Sequence, residues 1–413
     1  MIKKVLFGLM ILAVGIGVLA YWLQQDDELS VQSQALIDSD YAFQRGLKQH
    51  PFFYIYGIDA KAEIAPETLG RLRYYAQWQP PSTASDSLSS SQIQQLQKQP
   101  LSDEQRHILD GLNQVLKQRP EQVEAFIQQH QKQLVALLDS EQFMLQRYLN
   151  WLNRTDYVSL LIPVDGVLPD YRTLHYLHLL HMFQVSLKPK AESKAELVQY
   201  LSALHTMQEQ KLSMVEKHVL QSFMWQSLDV LNAKFQHAKL HITPLSQTIL
   251  SLRQGMRYEV SLSAQSFQNL AAPKGIAAWQ YRLVYLPNRS INQQVEDIEP
   301  TIALSELPYL DFLQQYAQVR PKVRSKYVLK NAVGNILAQV AVPDWRPYAL
   351  RSRILDNKIR VFNAVQQQTA LEVLNQNIEG YEYYQKNEQL CLKQPFPQEK
   401  LPEYLAQDTC LSI

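Results

Sequence analysis

An uncharged run near the N-terminus, Val5 to Leu23, is the feature that most constrains how this chain can fold. Its 19 apolar or small residues, in a helix that rises about 1.5 Å per residue, reach roughly 28 Å, close to the thickness of a bilayer's hydrocarbon core. Lys3 and Lys4 precede the run and acidic residues follow it, a charge order that favours an N-terminus in the cytoplasm. The sequence therefore predicts a cytoplasmic N-terminus over residues 1–4, a transmembrane anchor over residues 5–23, and a body beyond the membrane.

A cleaved signal peptide is the alternative interpretation of the same run. Val18 and Ala20 fit the small-residue rule at a cleavage site. The apolar run continues past them through Trp22 and Leu23, and an aromatic residue at that depth is typical of a membrane interface. This continuation favours a retained anchor.

The composition of the whole chain favours long helices. Of its residues, 46% are hydrophobic, enough to fill a substantial core, and only 12 are glycine. Few glycines are therefore left for the tight turns that strands and phosphate-binding loops require. Because the formal net charge is only +1, the chain has no general attraction for nucleic acid, and we expect no nucleic-acid partner.

Shifts in composition divide the rest of the chain into four parts. Aromatic residues are dense in residues 24–79, which we interpret as a membrane-proximal segment, whereas Ser, Gln and Pro dominate residues 80–100, as is typical of a flexible linker. Residues 101–378 carry apolar stripes at helical spacing, and residues 379–413 lose that spacing. We predict a mainly α-helical fold with an anchor helix, an irregular array of helical hairpins, and a small C-terminal tail closed by a disulfide.

Capping signals predict where several of these helices begin. A Ser followed three residues later by Gln or Glu can satisfy the free backbone N–H groups of a first helical turn. The predicted capping pairs are Ser102 with Gln105, Ser193 with Glu196, and Ser213 with Glu216. Asp170 before Tyr171 and Thr243 before Pro244 are further N-cap candidates.

The chain contains two cysteines, Cys391 and Cys410, both in the C-terminal tail. In an oxidising compartment such a pair is expected to form a disulfide, which would contribute on the order of 3 kcal/mol for a loop of this length. Two unrelated thiols are the alternative. Two cysteines are too few for a zinc ribbon.

Three histidines at intervals of three residues, His175, His178 and His181, raise the question of a metal site. On a helix they share an arc of about 120°, but they lie on successive turns and cannot all reach one ion. Further ligands would have to come from other segments, for example His237 and His241. Because Leu and Met share the same arc, a packed helix face is the favoured interpretation, with a histidine-lined, proton-sensitive contact as another. We predict no cofactor.

Two groups of residues are candidates for contact with partners. A basic set follows an acidic block, and solvated helix faces are the favoured interpretation of it. Alternatively, outside the cytoplasm, it would face anionic lipid, cell-wall phosphates or an acidic protein. An aromatic pair in the stretch PFFYIYGID would serve core packing or, alternatively, docking near the membrane. The candidates are Arg320, Lys322, Arg324, Lys326, Lys330, Phe52 and Phe53.

Familiar catalytic signatures are missing from the sequence. It has no GxSxG, HExxH, P-loop or GxGxxG motif and no SxxK motif of the penicillin-binding type. A pair of dispersed carboxylates would leave no local trace, however. We therefore name no catalytic residues and keep, as an alternative function, an envelope hydrolase or transferase that uses dispersed acids or a histidine-bound metal.

The layout of the chain resembles that of uncharacterised single-pass envelope proteins of Gram-negative bacteria. The resemblance is carried by the N-terminal anchor, the stretches PFFYIYGIDA and LQRYLNWLN, the long helical middle and the two-cysteine tail. It implies a bacterial inner membrane with a periplasmic body and transfers no site residues. Together these features predict an interaction or scaffold protein that binds other envelope proteins during cell-wall assembly, division or secretion.

Overall fold

The structure is a computed structural model, and it describes most of the chain. The described residues are 2–42, 47–78, 90–119, 122–163, 166–235, 238–270, 275–320, 330–341, 343–376, 381–393 and 408–413. The fold is mainly helical, as predicted, with a small sheet near the C-terminus.

The helices and strands follow one another in this order. The first part of the chain forms α1 Ile2–Gln24, α2 Val31–Leu36, α3 Pro51–Tyr56, α4 Pro66–Trp78, α5 Ser90–Gln95, α6 Asp103–Gln118, α7 Val123–Leu152, α8 Tyr171–Ser186 and α9 Lys190–Gln208. The second part forms α10 Met214–Lys234, α11 Gln247–Leu250, α12 Arg253–Asn269, α13 Ala278–Arg282, α14 Pro287–Glu306, α15 Tyr309–Tyr316, α16 Ala332–Ala341, α17 Arg346–Gln367 and α18 Leu371–Asn375. The strands are β1 Tyr383–Lys386, β2 Gln389–Leu392 and β3 Thr409–Ser412.

Most of the predicted helix starts agree with the structure. Complete capping boxes begin α6 at Ser102 and α10 at Ser213, and the Asp170 side chain caps α8. Ser193 is a wrong prediction: α9 already begins at Lys190 after Pro189, whose fixed φ suits a helix entry, so Ser193 lies buried inside the first turns. Thr243 also caps no helix, because α11 begins later with Ser246 as its N-cap.

Two large hydrophobic clusters form most of the core, and α17 contributes residues to both. The larger cluster contains residues of α6 to α10 and, from α17, Leu355 and Phe362. The smaller one is formed mainly by α12, α14 and α15 and takes Leu350 and Ile354 from α17. Helix α17 is therefore the shared support of both halves of the body.

Helices α3 and α4 approach each other so closely that only glycine fits at their contact. A Cβ atom on Gly70 would lie 1.9 Å from the carbonyl oxygen of Phe53, and one on Gly57 would lie 2.4 Å from the backbone nitrogen of Gly70. This contact places Phe52 and Phe53 inside the core, with 1% and 0% of their surface exposed. Their selection as partner-binding residues is therefore corrected: they pack against Tyr74 of α4.

The predicted disulfide is present in the C-terminal sheet. Strands β1, β2 and β3 pair antiparallel in that order, and Cys391 of β2 stands directly opposite Cys410 of β3. The two are joined as a disulfide. The sheet packs on α17, so the bond fastens the end of the chain to the helix that both core clusters share.

Helix α1 differs from every other long helix because its apolar surface is not covered by protein. From Phe7 to Leu19 all side chains are exposed. The segment Phe7–Gln24 is long and apolar enough to cross a membrane. Only the last turn, at Ala20 and Leu23, is half-buried, where α1 meets α13.

Polar contacts hold the chain that follows α1 to the start of α14. The Asp26 carboxylate accepts hydrogen bonds from the backbone N–H groups of Asn288 and Arg289 at 2.9 and 3.0 Å, which caps α14 from outside. Asp27 pairs with the Arg289 guanidinium at 3.1 Å and with the Lys330 ammonium at 3.8 Å. The Lys330 ammonium also lies 4.8 Å from the centre of the Trp22 ring. We call Trp22, Asp26, Asp27, Arg289 and Lys330 the root of α1.

Candidate functional site

An open cleft of about 750 Å³ lies at the surface of the body. Its walls come from α3 and α4, from the chain around α5, from α7, and from α8 with the residues that precede it. We call it the cleft. Clefts of this size with a mixed apolar and polar lining are where proteins most often bind ligands.

The apolar floor of the cleft comes from α7 and α8. Met144, Leu177 and Leu180 line it and belong to the main core, so this surface is fixed by packing. Tyr176 stands on the same wall with its ring mostly buried, and its hydroxyl donates to the Asp110 carboxylate at 3.1 Å. Burial raises the pKa of Tyr176, so its hydroxyl stays protonated at neutral pH.

Two ion pairs cross the polar side of the cleft. The Arg73 guanidinium holds both oxygens of Asp59, at 2.5 and 2.7 Å, and its Nη1 also donates to the Tyr56 carbonyl. The Lys98 ammonium lies 2.6 Å from Oε1 of Glu141, a residue of α7 that is 5% exposed. Because these charges already have partners, the cleft keeps its shape without a ligand.

An apolar lip closes one edge of the cleft. The backbone N–H of Val167 donates to Oε1 of Gln77 at 2.9 Å, and the Tyr56 hydroxyl donates to the Val167 carbonyl at 2.6 Å. These bonds hold the side chains of Val167 and Leu168 at the surface, where both are largely exposed. Exposed aliphatic residues held rigidly beside a cleft are typical of a binding surface.

The acids of the cleft are arranged for structure rather than for acid–base chemistry. Asp59 and Glu141 are paired with cations, and the Asp170 carboxylate accepts from both the backbone N–H and the hydroxyl of Thr173 at the start of α8. The contact between Asp170 and the Thr173 hydroxyl belongs to the N-cap of α8. The described acids of the cleft are therefore used in ion pairs and in a helix cap, and the cleft can bind and orient a ligand.

A buried acid lies behind the wall of the cleft, at the start of α10. The Glu216 carboxylate accepts hydrogen bonds from the Tyr157 hydroxyl at 2.5 Å, from the Ser159 hydroxyl, and from the Ser213 backbone N–H at 2.9 Å. Burial raises the pKa of Glu216, and these hydrogen bonds oppose that rise. Because Glu216 closes the capping box of α10, the cluster is explained by the helix start.

The three spaced histidines pack among aromatic rings on α8. The His178 ring stacks on Phe223, 4.5 Å between ring centres, and its Nδ1 lies 2.8 Å from the Tyr200 hydroxyl. The rings of His175 and His178 are 6.2 Å apart. Burial lowers the pKa of His175 and of His181 to about 4, so these side chains are neutral at pH 7.

The other proposed metal ligands do not join this stripe. His241 is exposed, with its Nδ1 3.3 Å from the Gln367 amide, and His237 lies outside the described residues. In the part of the chain that the structure describes, no three His, Cys, Asp or Glu side chains are close enough to share a metal ion.

The residues of the predicted basic set lie in different surroundings. Arg320 is exposed, whereas Lys322, Arg324 and Lys326 lie outside the described residues. Lys330 is buried in the root of α1. Its selection as a partner-binding residue is therefore corrected, because its ammonium is used by Asp27 and Trp22.

No protein-family model, curated protein or solved structure matches this chain.

Sequence reasoning did not find the cleft. Its polar groups come from residues as far apart as Asp59 and Glu141, and the predicted linker, residues 80–100, contributes part of one wall. Within that range, residues 90–100 include α5, a bridge from Gln97 to Ala60, and the pairing of Lys98 with α7. The local signal was the spacing of Ile93 and Leu96, three residues apart among glutamines, which the Ser- and Gln-rich composition concealed.

Proposed function

We propose that this chain is a single-pass inner-membrane protein whose periplasmic helical body binds other envelope proteins through the cleft. The observation that carries this proposal is the preformed cleft, with an apolar floor and with its ion pairs satisfied before any ligand arrives. Such a surface gains little from a small charged substrate, because its own charges are already neutralised. It suits a partially apolar segment of a partner protein.

Three features support the membrane location. The apolar surface of α1 has no protein cover, lysines precede it and acids follow it. The disulfide between Cys391 and Cys410 is a bond that oxidising compartments such as the periplasm maintain. In this arrangement residues 1–4 are cytoplasmic, residues 5–23 of α1 are the anchor, and the array of helical hairpins lies in the periplasm.

The cleft suggests what part of a partner would bind. Its open form admits an extended or helical polypeptide segment, and the exposed amides of Gln94 and Gln99 at its edge can pair with backbone groups. The lip at Leu168 and the floor at Leu177 would receive apolar side chains. The anchor would restrict the search for this partner to the plane of the membrane, which raises its effective concentration.

Photocrosslinking in cells tests the binding role. A photoreactive amino acid replaces Leu168, at the lip of the cleft, in the full chain, and a matched chain carries it at Val373 of α18, a residue of similar exposure outside the cleft lining. We expect a discrete crosslinked protein with the first probe and none with the second. The same products from both positions, or none from either, would contradict a binding role for the cleft.

Membrane extraction and protease access test the location separately. The full chain should resist extraction by alkaline carbonate, and protease added outside spheroplasts should digest the body. Mass spectrometry without reductant should find no free thiol, because both cysteines are used in the disulfide. A soluble chain that lacks its first residues would instead establish the signal-peptide interpretation.

A further inference from the structure

Helix α16 exposes large apolar side chains on its outer side. The side that faces the protein carries the half-buried Val333 and Leu337, which pack against a small hydrophobic cluster. Ile336 and Val340 lie one turn apart on the outer side, and Val340 is 78% exposed. A surface helix of a water-soluble body normally keeps its large apolar residues on the inner side alone.

A second exposed apolar surface lies next to α16. Ile276 precedes α13, and Trp279 lies on it with 56% of its surface exposed. The two segments are joined, because the backbone N–H of Val333 in α16 donates to the carbonyl of Val284, just after α13, at 2.9 Å. We call Ile276, Trp279, Ile336 and Val340 the collar.

The collar lies where α1 meets the body. The last turn of α1 packs on α13. A small hydrophobic cluster then brings together Leu29, which follows α1, with Tyr281 of α13 and Leu337 of α16. The root of α1, with Trp22 at its edge, occupies the same end of the body.

We infer that the collar is a membrane-contacting surface, with α13 and α16 resting in the interfacial layer of the same bilayer that α1 crosses. This inference rests on the proposed membrane anchoring of α1. The inference is supported by the position of the collar beside the last turn of α1. A bilayer that surrounds α1 as far as Trp22 would also touch α13, which packs on that turn. Trp279 suits the headgroup region, where the indole ring favours the boundary between lipid and water, and Ile336 and Val340 suit the acyl side of that boundary.

The collar would fix how the body sits on the membrane. A single helix with a flexible exit leaves a body free to tilt, whereas a second contact beside the helix removes that freedom. The exposed Arg282 of α13 can meet anionic phospholipid headgroups at the same level. The orientation of the cleft relative to the membrane would then be set by the fold itself.

Site-directed spin labelling of the full chain in phosphatidylcholine and phosphatidylglycerol vesicles tests this inference. The native cysteines are joined to each other, so a single introduced cysteine carries the label. Labels are placed at Ile336→Cys and Val340→Cys, at Leu12→Cys in α1, and at Val373→Cys as an exposed reference on α18. The readout is the ratio of collisions with oxygen, which concentrates in lipid, to collisions with a water-soluble nickel chelate.

We expect a ratio several-fold higher at Ile336 and Val340 than at Val373, close to the value at Leu12. If Leu12 gives a lipid-like ratio while Ile336 and Val340 match Val373, the collar inference is overturned and the anchor stands. A water-like ratio at Leu12 overturns both. Protection of Ile336 from both reagents, with spin–spin broadening, would show that a second copy of the chain covers the collar, and this also overturns the inference.

Discussion

Two Lys–Asp–Trp groups, one inside the body and one at the root of α1, show how the same chemistry serves different purposes in this chain. Inside, the Lys358 ammonium lies 2.5 Å from Asp229 and 3.7 Å from the centre of the Trp225 ring. At the root, the Lys330 ammonium lies 3.8 Å from Asp27 and 4.8 Å from the centre of the Trp22 ring. The contacts of the inner group are short and buried, whereas those of the outer group are longer and partly exposed to solvent.

The difference lies in what each group is surrounded by. The Lys358 side chain is 3% exposed, and its burial lowers the pKa of its ammonium to about 8. The Asp27 side chain at the root is 37% exposed and shares two cations. An inner pair that loses one member leaves a charge without water, whereas a root pair that loses one member is rehydrated. We therefore expect a rigid body joined to α1 by contacts that can adjust.

The glycine contact between α3 and α4 is the most sensitive point of the interior. In Gly70→Ala the added Cβ would lie 1.9 Å from the Phe53 carbonyl oxygen, a backbone atom that cannot move without separating the helices. We expect a loss of unfolding free energy on the order of 5 kcal/mol, measured by urea unfolding followed by circular dichroism. Gly17→Ala in α1, where nothing lies within 4 Å, is the matched control and should leave the body unchanged. Equal stability of both variants would mean that α3 and α4 are not in close contact.

The inner Lys–Asp–Trp group gives the next largest effect. Lys358→Met leaves the Asp229 carboxylate buried without its cation, and we expect a loss of about 4 kcal/mol in the same unfolding measurement. Adding Asp229→Leu to this variant should recover most of that loss, because the uncompensated charge is then removed as well. If Lys358→Met alone were as stable as the parent chain, the pair of Lys358 and Asp229 would not be desolvated in the folded chain.

The features of this chain differ in how far the sequence alone could predict them. Helix starts at Ser102, Asp170 and Ser213 were predictable because a cap depends on residues three positions apart. The disulfide was predictable because the chain offers one pairing. The Gly57 to Gly70 contact and the cleft depend on where separate helices meet, and no local pattern contains that information. The exposed collar was likewise concealed, because α16 has an ordinary helical composition and only its neighbours determine which face is covered.

The buried histidines make the interior sensitive to acid. The pKa of His181 is lowered to about 4 by burial, although Glu196 lies 3.9 Å away and opposes this shift and Lys188 adds to it. Below its ordinary value of about 6.5 the unfolded chain binds a proton that the folded chain does not, so stability is complete above pH 6.5 and falls toward pH 4. Between pH 7 and pH 4, the decrease in unfolding free energy measured with urea should be about 2–3 kcal/mol smaller for His181→Leu than for the parent chain.

Two comparisons make the histidine measurement specific. His107→Leu removes an exposed histidine of α6 and should leave the pH dependence of the parent unchanged. Burial raises the pKa of Glu259 to about 7, which stabilises the fold as the pH falls toward 4.5, but this contribution is common to all the variants and cancels in the difference. A parallel pH profile for His181→Leu and the parent would show that His181 is hydrated in the folded chain.

The root of α1 should give the smallest effect on stability and the clearest effect on motion. Arg289→Gln removes a half-exposed partner of Asp27, so we expect a loss below about 1 kcal/mol in unfolding free energy. The carbonyl of Glu28 accepts from the Asn292 amide at 2.8 Å, which holds the chain that follows α1 against α14. Cleavage after Glu28 by a glutamate-specific protease should therefore be faster in Arg289→Gln, because the root opens while the body stays folded. If Arg289→Gln instead lowered the stability as much as Lys358→Met, the root would be part of the rigid core, and α1 and the body would move as one piece.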